Sequence, residues 1–354
     1  MTDVIKASEP RDLIAAASAV LVFHPTESLV VICLRGTKHR IGLVARTDLA
    51  TVTASEAATS LARQVSQHAD TTVLVAYSEN AAARRRAVAA VTDALAEAEA
   101  PVMDAWWVSA TAYGSATCAD PACCPVEGWP LIEVEDSLVR AETTLRGTAL
   151  ASTRAALLPA PATPADRRQA EAARLAWIAQ HGPQAHTGDP VSDETRAHEA
   201  LSVWTEPFIV GRDTEHDPDA YGRLAAVLSD VTWRDLVIAF VVTTGEACNL
   251  SDATSTAFDG MLTTPEGTDP LRPNAATLPA EVSLLLRTAV HTDGAPAAHA
   301  YATAAMLAWW SGDGATANLA ADAAAEADPA VSLTNIVRLL LDSGRPPAWV
   351  TATD

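Results

Sequence analysis

The sequence predicts an α/β N-terminal domain, a mixed sheet with packed helices, followed by a mostly α-helical C-terminal domain containing a tetratricopeptide-like helical hairpin. Three observations carry this prediction. Short β-branched runs alternate with helix-period segments up to about residue 140. Pro159, Pro161 and Pro164 then interrupt the pattern. Beyond them the spacing of apolar residues is helical almost throughout. The expected organisation is an α/β domain over 1–140, a Pro-rich linker region over 141–164 and a helical domain over 165–354. A chain of 354 residues suits two domains.

Leu13, Ala16, Ala17, Val20 and Leu21 recur at i, i+3, i+4, i+7 and i+8, which is one apolar helix face ended by Pro25. Residues 29–34 (LVVICL) and 41–49 (IGLVARTDL) read as two strands around a turn at 36–39, hence a β-hairpin without an Asn-Gly signal to fix its register. A helix is expected over 53–68, a buried strand over 71–78, an Asn80-capped helix over 81–99 and a strand over 102–110. Residues 113–117 suit one more strand, paired to the last. The helical crossover between 71–78 and 102–110 makes those two strands parallel.

In the second half, helices are expected over 165–181, 193–204, 217–228, 231–243, 279–291, 297–310, 314–327 and 330–343. Residues 249–278 are rich in Thr, Asp, Gly and Pro and read as a long loop. Ala317, Ala324 and Pro329 carry the spacing of the second helix of a tetratricopeptide unit, but no second copy is evident. A solenoid needs about three repeats, so an ordinary helical hairpin accounts for the segment. In each of the pairs Trp106-Trp107 and Trp309-Trp310, one ring is expected in the core and the other at a contact between domains.

With 24 Lys+Arg against 44 Asp+Glu, the chain carries a formal net charge of −20. That field opposes nucleic acid. Arg84-Arg85-Arg86 is the one concentrated basic run and reads as a solvated helix face. No apolar stretch reaches membrane-spanning length, and the first residues lack the basic and apolar regions of a secretion signal. The expectation is an acidic, cytoplasmic protein with no nucleic-acid or membrane partner. A protein partner fits; no cofactor is implied, and the oligomeric state is open.

The densest polar cluster lies in the first fifty residues. If the hairpin is antiparallel, His24, Glu27 and Ser28 at the start of one strand meet Arg46 and Asp48 at the end of the other. Strand-end loops are where open α/β sheets place ligands, and an arginine there suits a carboxylate or phosphate. Ion pairs that only hold structure produce the same cluster. Ser28 lacks a G-x-S-x-G elbow, so a nucleophilic serine is not supported.

Cys118, Cys123 and Cys124 put three thiols within seven residues of a Pro-rich turn. Reduced structural thiols, a redox pair and a metal site all stay open. Against metal stand the absent fourth ligand and the expectation that adjacent cysteine side chains diverge. No stoichiometric zinc is therefore expected. Phosphate-binding loops and H-E-x-x-H are missing. An odd total of five cysteines does not suggest a disulfide framework.

The segments FHPTESLVVICLRG, IGLVARTDL, CADPACCPVEGWP and LAWWSGDGATANLAADAAAEADPAVSLTNIVRLLLDSGRPP resemble the actinobacterial domain-of-unknown-function 4192 (DUF4192) family. The resemblance spans nearly the whole chain and is weakest over about 160–280. It implies a cytoplasmic bacterial protein in which His24–Ser28, Arg46–Asp48 and Cys118–Pro125 are family motifs. It brings no catalytic residues.

Three functions compete. The first is a non-catalytic binding or scaffold protein, suggested by the helical second half, the acidity and the lack of a catalytic signature. The second is an enzyme acting on a small anionic substrate at the His24/Arg46/Asp48 edge. The third is a thiol-based redox or metal sensor built on Cys118, Cys123 and Cys124.

Overall fold

In the computed structural model, residues 7, 9–145, 149–182, 190–209, 217–243, 250–264 and 268–351 are described. The chain divides into two compact units, Met1–Leu157 and Leu158–Asp354. Each unit has its own apolar core. The stretch expected as a linker is mixed in character. Residues up to 157 fall with the first unit, where Ala151 bridges Phe23 and a short 3-10 helix spans Arg154–Leu157.

The first unit is built on a six-stranded mixed sheet. Its strands are β1 (Ser28–Arg35), β2 (Arg40–Asp48), β3 (Thr71–Tyr77), β4 (Val102–Val108), β5 (Ala112–Ser115) and β6 (Trp129–Pro130), in the order β2-β1-β3-β4-β5-β6. Only β3 and β4 are parallel, joined through α4 (Ala81–Glu97); every other neighbouring pair is antiparallel. The β1–β2 hairpin pairs Ser28 with Asp48 and Val30 with Arg46, and its register shifts between Ile32 and Leu34.

β1 and β3 are near-continuous apolar runs because both faces of the sheet are covered. Leu29, Val31, Cys33, Leu74 and Ala76 pack with α2 (Leu49–Val52), α3 (Ser55–Ser66) and α4. The alternate residues Val30, Ile32, Val73 and Val75 are equally buried on the other face. There α1 (Pro10–Leu21) packs with α5 (Ile132–Glu135) and α6 (Leu138–Leu145). The Asn80 side chain caps α4 by accepting from the amides of Ala82 and Ala83 at 3.0 and 3.1 Å.

The described part of the second unit is helical: α7 (Pro164–His181), α8 (Pro190–Ile209), α9 (Pro218–Leu228), α10 (Val231–Val242), α11 (Leu250–Leu262), α12 (Leu278–Val290), α13 (Ala295–Ser311), α14 (Gly314–Ala327), α15 (Ser332–Asp342) and α16 (Ala348–Thr351). α13 is apolar all round and packs against α9, α10, α12, α14 and α15. Ala317 and Ala324 are fully buried where α14 packs on it, and Pro329 follows the helix end.

Two expectations are corrected here. Part of the long loop expected over 249–278 is helix α11. Ala257 and Met261, four residues apart, bury almost completely and supply the helix with a core face that its Thr, Ser and Asp content obscured. Trp309 and Trp310 are both buried in the helical core, at 4% and 0% exposure, because neighbours surround α13. Their ends are tied: the Trp309 indole donates to the Arg345 carbonyl at 2.9 Å, and Trp349 donates to that of Trp310 at 2.7 Å. No described helix is long and apolar enough to cross a membrane.

Candidate thiol centre and polar sheet edge

The carboxyl ends of β3 and β4, the start of β1 and the end of β2 lie along one edge of the sheet. Ser28, Arg46 and Asp48 meet there. Arg46 Nε donates to Ser28 Oγ at 2.8 Å, and its Nη2 pairs with Asp48 Oδ1 at 2.6 Å. Ser28 in turn donates to the Thr26 carbonyl at 2.6 Å. The register explains the meeting: Ser28 and Asp48 are cross-strand partners, and Arg46, two residues back, shares their face.

Glu27 stays at this edge, where its carbonyl accepts from the Leu49 amide at 3.0 Å, but its side chain has a different partner. Its backbone is left-handed at φ 44°, and its carboxylate accepts from the Ser78 hydroxyl at 2.8 Å, across the end of β3. His24 is fixed by its backbone, whose amide donates to the Ala151 carbonyl at 3.1 Å. Its ring lies close enough to Glu135 to favour that carboxylate's charged form, after the main effect of the Arg140 hydrogen bond. The five expected edge residues therefore fall into three local arrangements, each with partners inside the protein.

Sequence reasoning missed Ser78, Glu79 and Arg84 on this edge. Arg84 Nη1 donates to the Ser78 carbonyl at 2.7 Å, and its guanidinium lies over the Trp107 ring, 4.5 Å from the centroid. Burial holds Arg84 below the ordinary arginine value. It is thus not part of a freely solvated basic face, unlike the exposed Arg85 and Arg86. Glu79 accepts from the Ala110 amide at 2.5 Å. The signal in the sequence was position: Ser78 and Glu79 directly follow β3 and precede the capping Asn80.

The three thiols lie on residues 116–128, between β5 and β6, beside the amino end of β4. The Ala116 amide donates to the Ala105 carbonyl at 2.7 Å. The Ser115 hydroxyl accepts from the Cys118 amide at 2.9 Å, bending the chain off the strand. The Asp120 carbonyl accepts from the amides of Cys123 at 3.1 Å and Cys124 at 2.8 Å, while its side chain accepts from Ala122 at 2.9 Å. Residues 120–124 thus form one helical turn, started by Asp120-Pro121 and stopped by Pro125.

That turn overturns the expectation that the adjacent cysteines diverge. Successive side chains oppose each other in an extended strand, but in a helical turn they are only about 100° apart. The Cys123 and Cys124 sulfurs are 3.8 Å apart, and all three sulfurs lie within 4.8 Å of one another. Cys118 and Cys123 are exposed, and Cys124 is partly so. Hydrogen bonding with the Asp120 backbone, then with the Cys124 thiol, holds Cys118 below the ordinary thiol range. Cys124, hydrogen-bonded to Cys118, is pushed up to about 12. Cys33 is different in kind: burial in the sheet core pushes its thiol up to about 12.

Residues 10–348 match the model of the family described as a domain of unknown function, DUF4192. The chain belongs to that family. The match takes in the polar edge, the thiol loop and the helices from α7 to α15 of this DUF4192 chain. No curated protein and no solved structure matches it.

Proposed function

We propose that this is a non-catalytic binding protein of the thiol-sensor kind, with Cys118, Cys123 and Cys124 as its responsive centre. The convergence of three sulfurs within 4.8 Å on a solvent-facing loop is the observation that carries the reading. Reactive thiols need exposure and a lowered thiol pKa; Cys118 is exposed, and hydrogen bonding with the Asp120 backbone lowers it. The polar edge supports an enzyme less well, because Arg46 already holds Ser28 and Asp48, and Glu27 is engaged by Ser78.

Peroxide provides the test. Oxidation of two of the three thiols forms one S–S bond while peroxide is reduced to two waters. Mild treatment should remove two titratable thiols per chain, and dithiothreitol should restore them. The Cys118→Ser/Cys123→Ser/Cys124→Ser variant should show no such reversible loss. Loop thiols that resist peroxide, or that oxidise irreversibly, would count against the reading.

A second reading concerns the helical unit. Ile336 and Leu339 of α15, three residues apart, are 50% and 69% exposed on an otherwise strongly amphipathic helix. This pair favours a protein-binding role for α15. The double change Ile336→Glu/Leu339→Glu should abolish capture of a partner while leaving the helical circular dichroism unchanged.

A further inference from the structure

We propose that Cys118, Cys123 and Cys124 form a three-coordinate trithiolate site for one thiophilic d¹⁰ cation, with monovalent copper as the ion it fits best. The proposal rests on the thiol-centre reading and names its ligand. Thiolate–metal bonds of about 2.3 Å place sulfurs about 3.8 Å apart at a tetrahedral angle and about 4.0 Å apart in a trigonal plane. The Cys123–Cys124 separation is already 3.8 Å, and no sulfur pair exceeds 4.8 Å. The widest separation exceeds the trigonal value by less than about 1 Å, and the turn that carries Cys123 and Cys124 is held by the Asp120 carbonyl.

The donor set selects the ion. Three thiolates are soft ligands, suited to monovalent copper and zinc and poorly matched to magnesium or calcium. Zinc takes four ligands in structural sites. Among the described residues, the cysteine trio has no fourth His, Cys, Asp or Glu grouped with it. A trigonal monovalent ion is satisfied by three sulfurs. A cation bound at the centre offsets the mutual repulsion of three thiolates, each thiol releasing its proton to solvent on binding. The loop's exposure leaves an open route for loading and release.

The test is anaerobic titration of the reduced full-length protein with copper(I) held by a chromophoric chelator. The expected result is uptake of one copper per chain, with a thiolate-to-metal charge-transfer band in the ultraviolet and weaker uptake as pH falls. Cys118→Ser, Cys123→Ser and Cys124→Ser should each weaken retention at least tenfold while preserving circular dichroism. Cys33→Ala, removing a core thiol outside the cluster, should retain copper as wild type does. Zinc(II) alone, in a parallel arm, should not remain at one per chain after gel filtration.

Equal copper retention by wild type and the triple serine variant would overturn the proposal. Zinc held at one per chain and not displaced by copper would overturn the three-coordinate assignment. Failure to bind copper, with the reversible peroxide-driven disulfide still forming, would remove the metal site and leave the thiol reading standing. Failure of both would remove both.

Discussion

Arg46 and His299 show how differently two polar clusters hold this protein. Arg46 is 16% exposed, while its partner Asp48 is 56% exposed, so water screens much of their attraction. The hydrogen bond to Ser28 adds to the pair. Arg46→Ala should lower unfolding stability in urea by about 1–2 kcal/mol. Phosphate should leave the melting temperature of both proteins unchanged; a rise confined to wild type would restore the anionic-ligand reading of the edge. His299 sits in the helical unit beside Arg234, which is only 3% exposed and donates to Asp235 at 2.7 Å. Burial first, then the Arg234 charge, hold His299 below its ordinary value of 6.5. As pH falls below 6.5, the unfolded chain takes up a proton that folded His299 refuses, so stability drops until the depressed folded value is passed. Asp235, raised by burial, contributes with the opposite sign at lower pH, in the carboxylate range. His299→Gln should flatten the slope just below 6.5 in urea midpoints measured against pH; an unchanged slope would show that another group carries it.

At the scale of elements, the thiol loop is pinned at both ends against one indole. A Cβ on Gly114, in β5, would lie 2.6 Å from Trp107 Cζ2. On Gly128, just before β6, it would lie 2.7 Å from Trp107 Cη2 and 2.4 Å from the Tyr113 carbonyl, with the backbone at φ 77°. Gly128→Ala should therefore cost about 2–4 kcal/mol, through left-handed strain and overpacking together. The same change should make the loop thiols react less cooperatively with a disulfide reagent; an unaltered melt would mean that Trp107 yields easily. The sequence showed the hairpin, the parallel β3–α4–β4 unit and the helical second half plainly, because each is a period of apolar residues. α11 escaped because Thr, Ser and Asp dilute a face that rests on Ala257 and Met261. β6 was too short to register, at two residues. The closeness of Ser28, Arg46 and Asp48 was legible from the hairpin alone, whereas the separate partners of Glu27 and His24 depended on Ser78, Ala151 and Glu135, distant in sequence. The convergence of the cysteines was signalled by Asp120-Pro121, a helix-starting pair whose effect on the two following thiols is purely geometric.

For the molecule as a whole, net charge bears on the choice of partner. Duplex DNA binding gains from counterion release only where several arginines or lysines reach phosphates together. The chain has a net charge of −20, and its one basic run loses a member to the protein itself, since Arg84 lies on Trp107 and donates to Ser78. Arg85 and Arg86 remain exposed, too few to offset the surrounding field. Purified protein should therefore show no salt-sensitive affinity for duplex DNA at physiological ionic strength, measured by fluorescence anisotropy across a salt series. Lowering the salt should not recover binding, because weaker screening also lengthens the reach of the repulsion. Submicromolar affinity with a steep salt slope, abolished by Arg85→Ala/Arg86→Ala, would show that this short patch acts locally against the field of the whole chain.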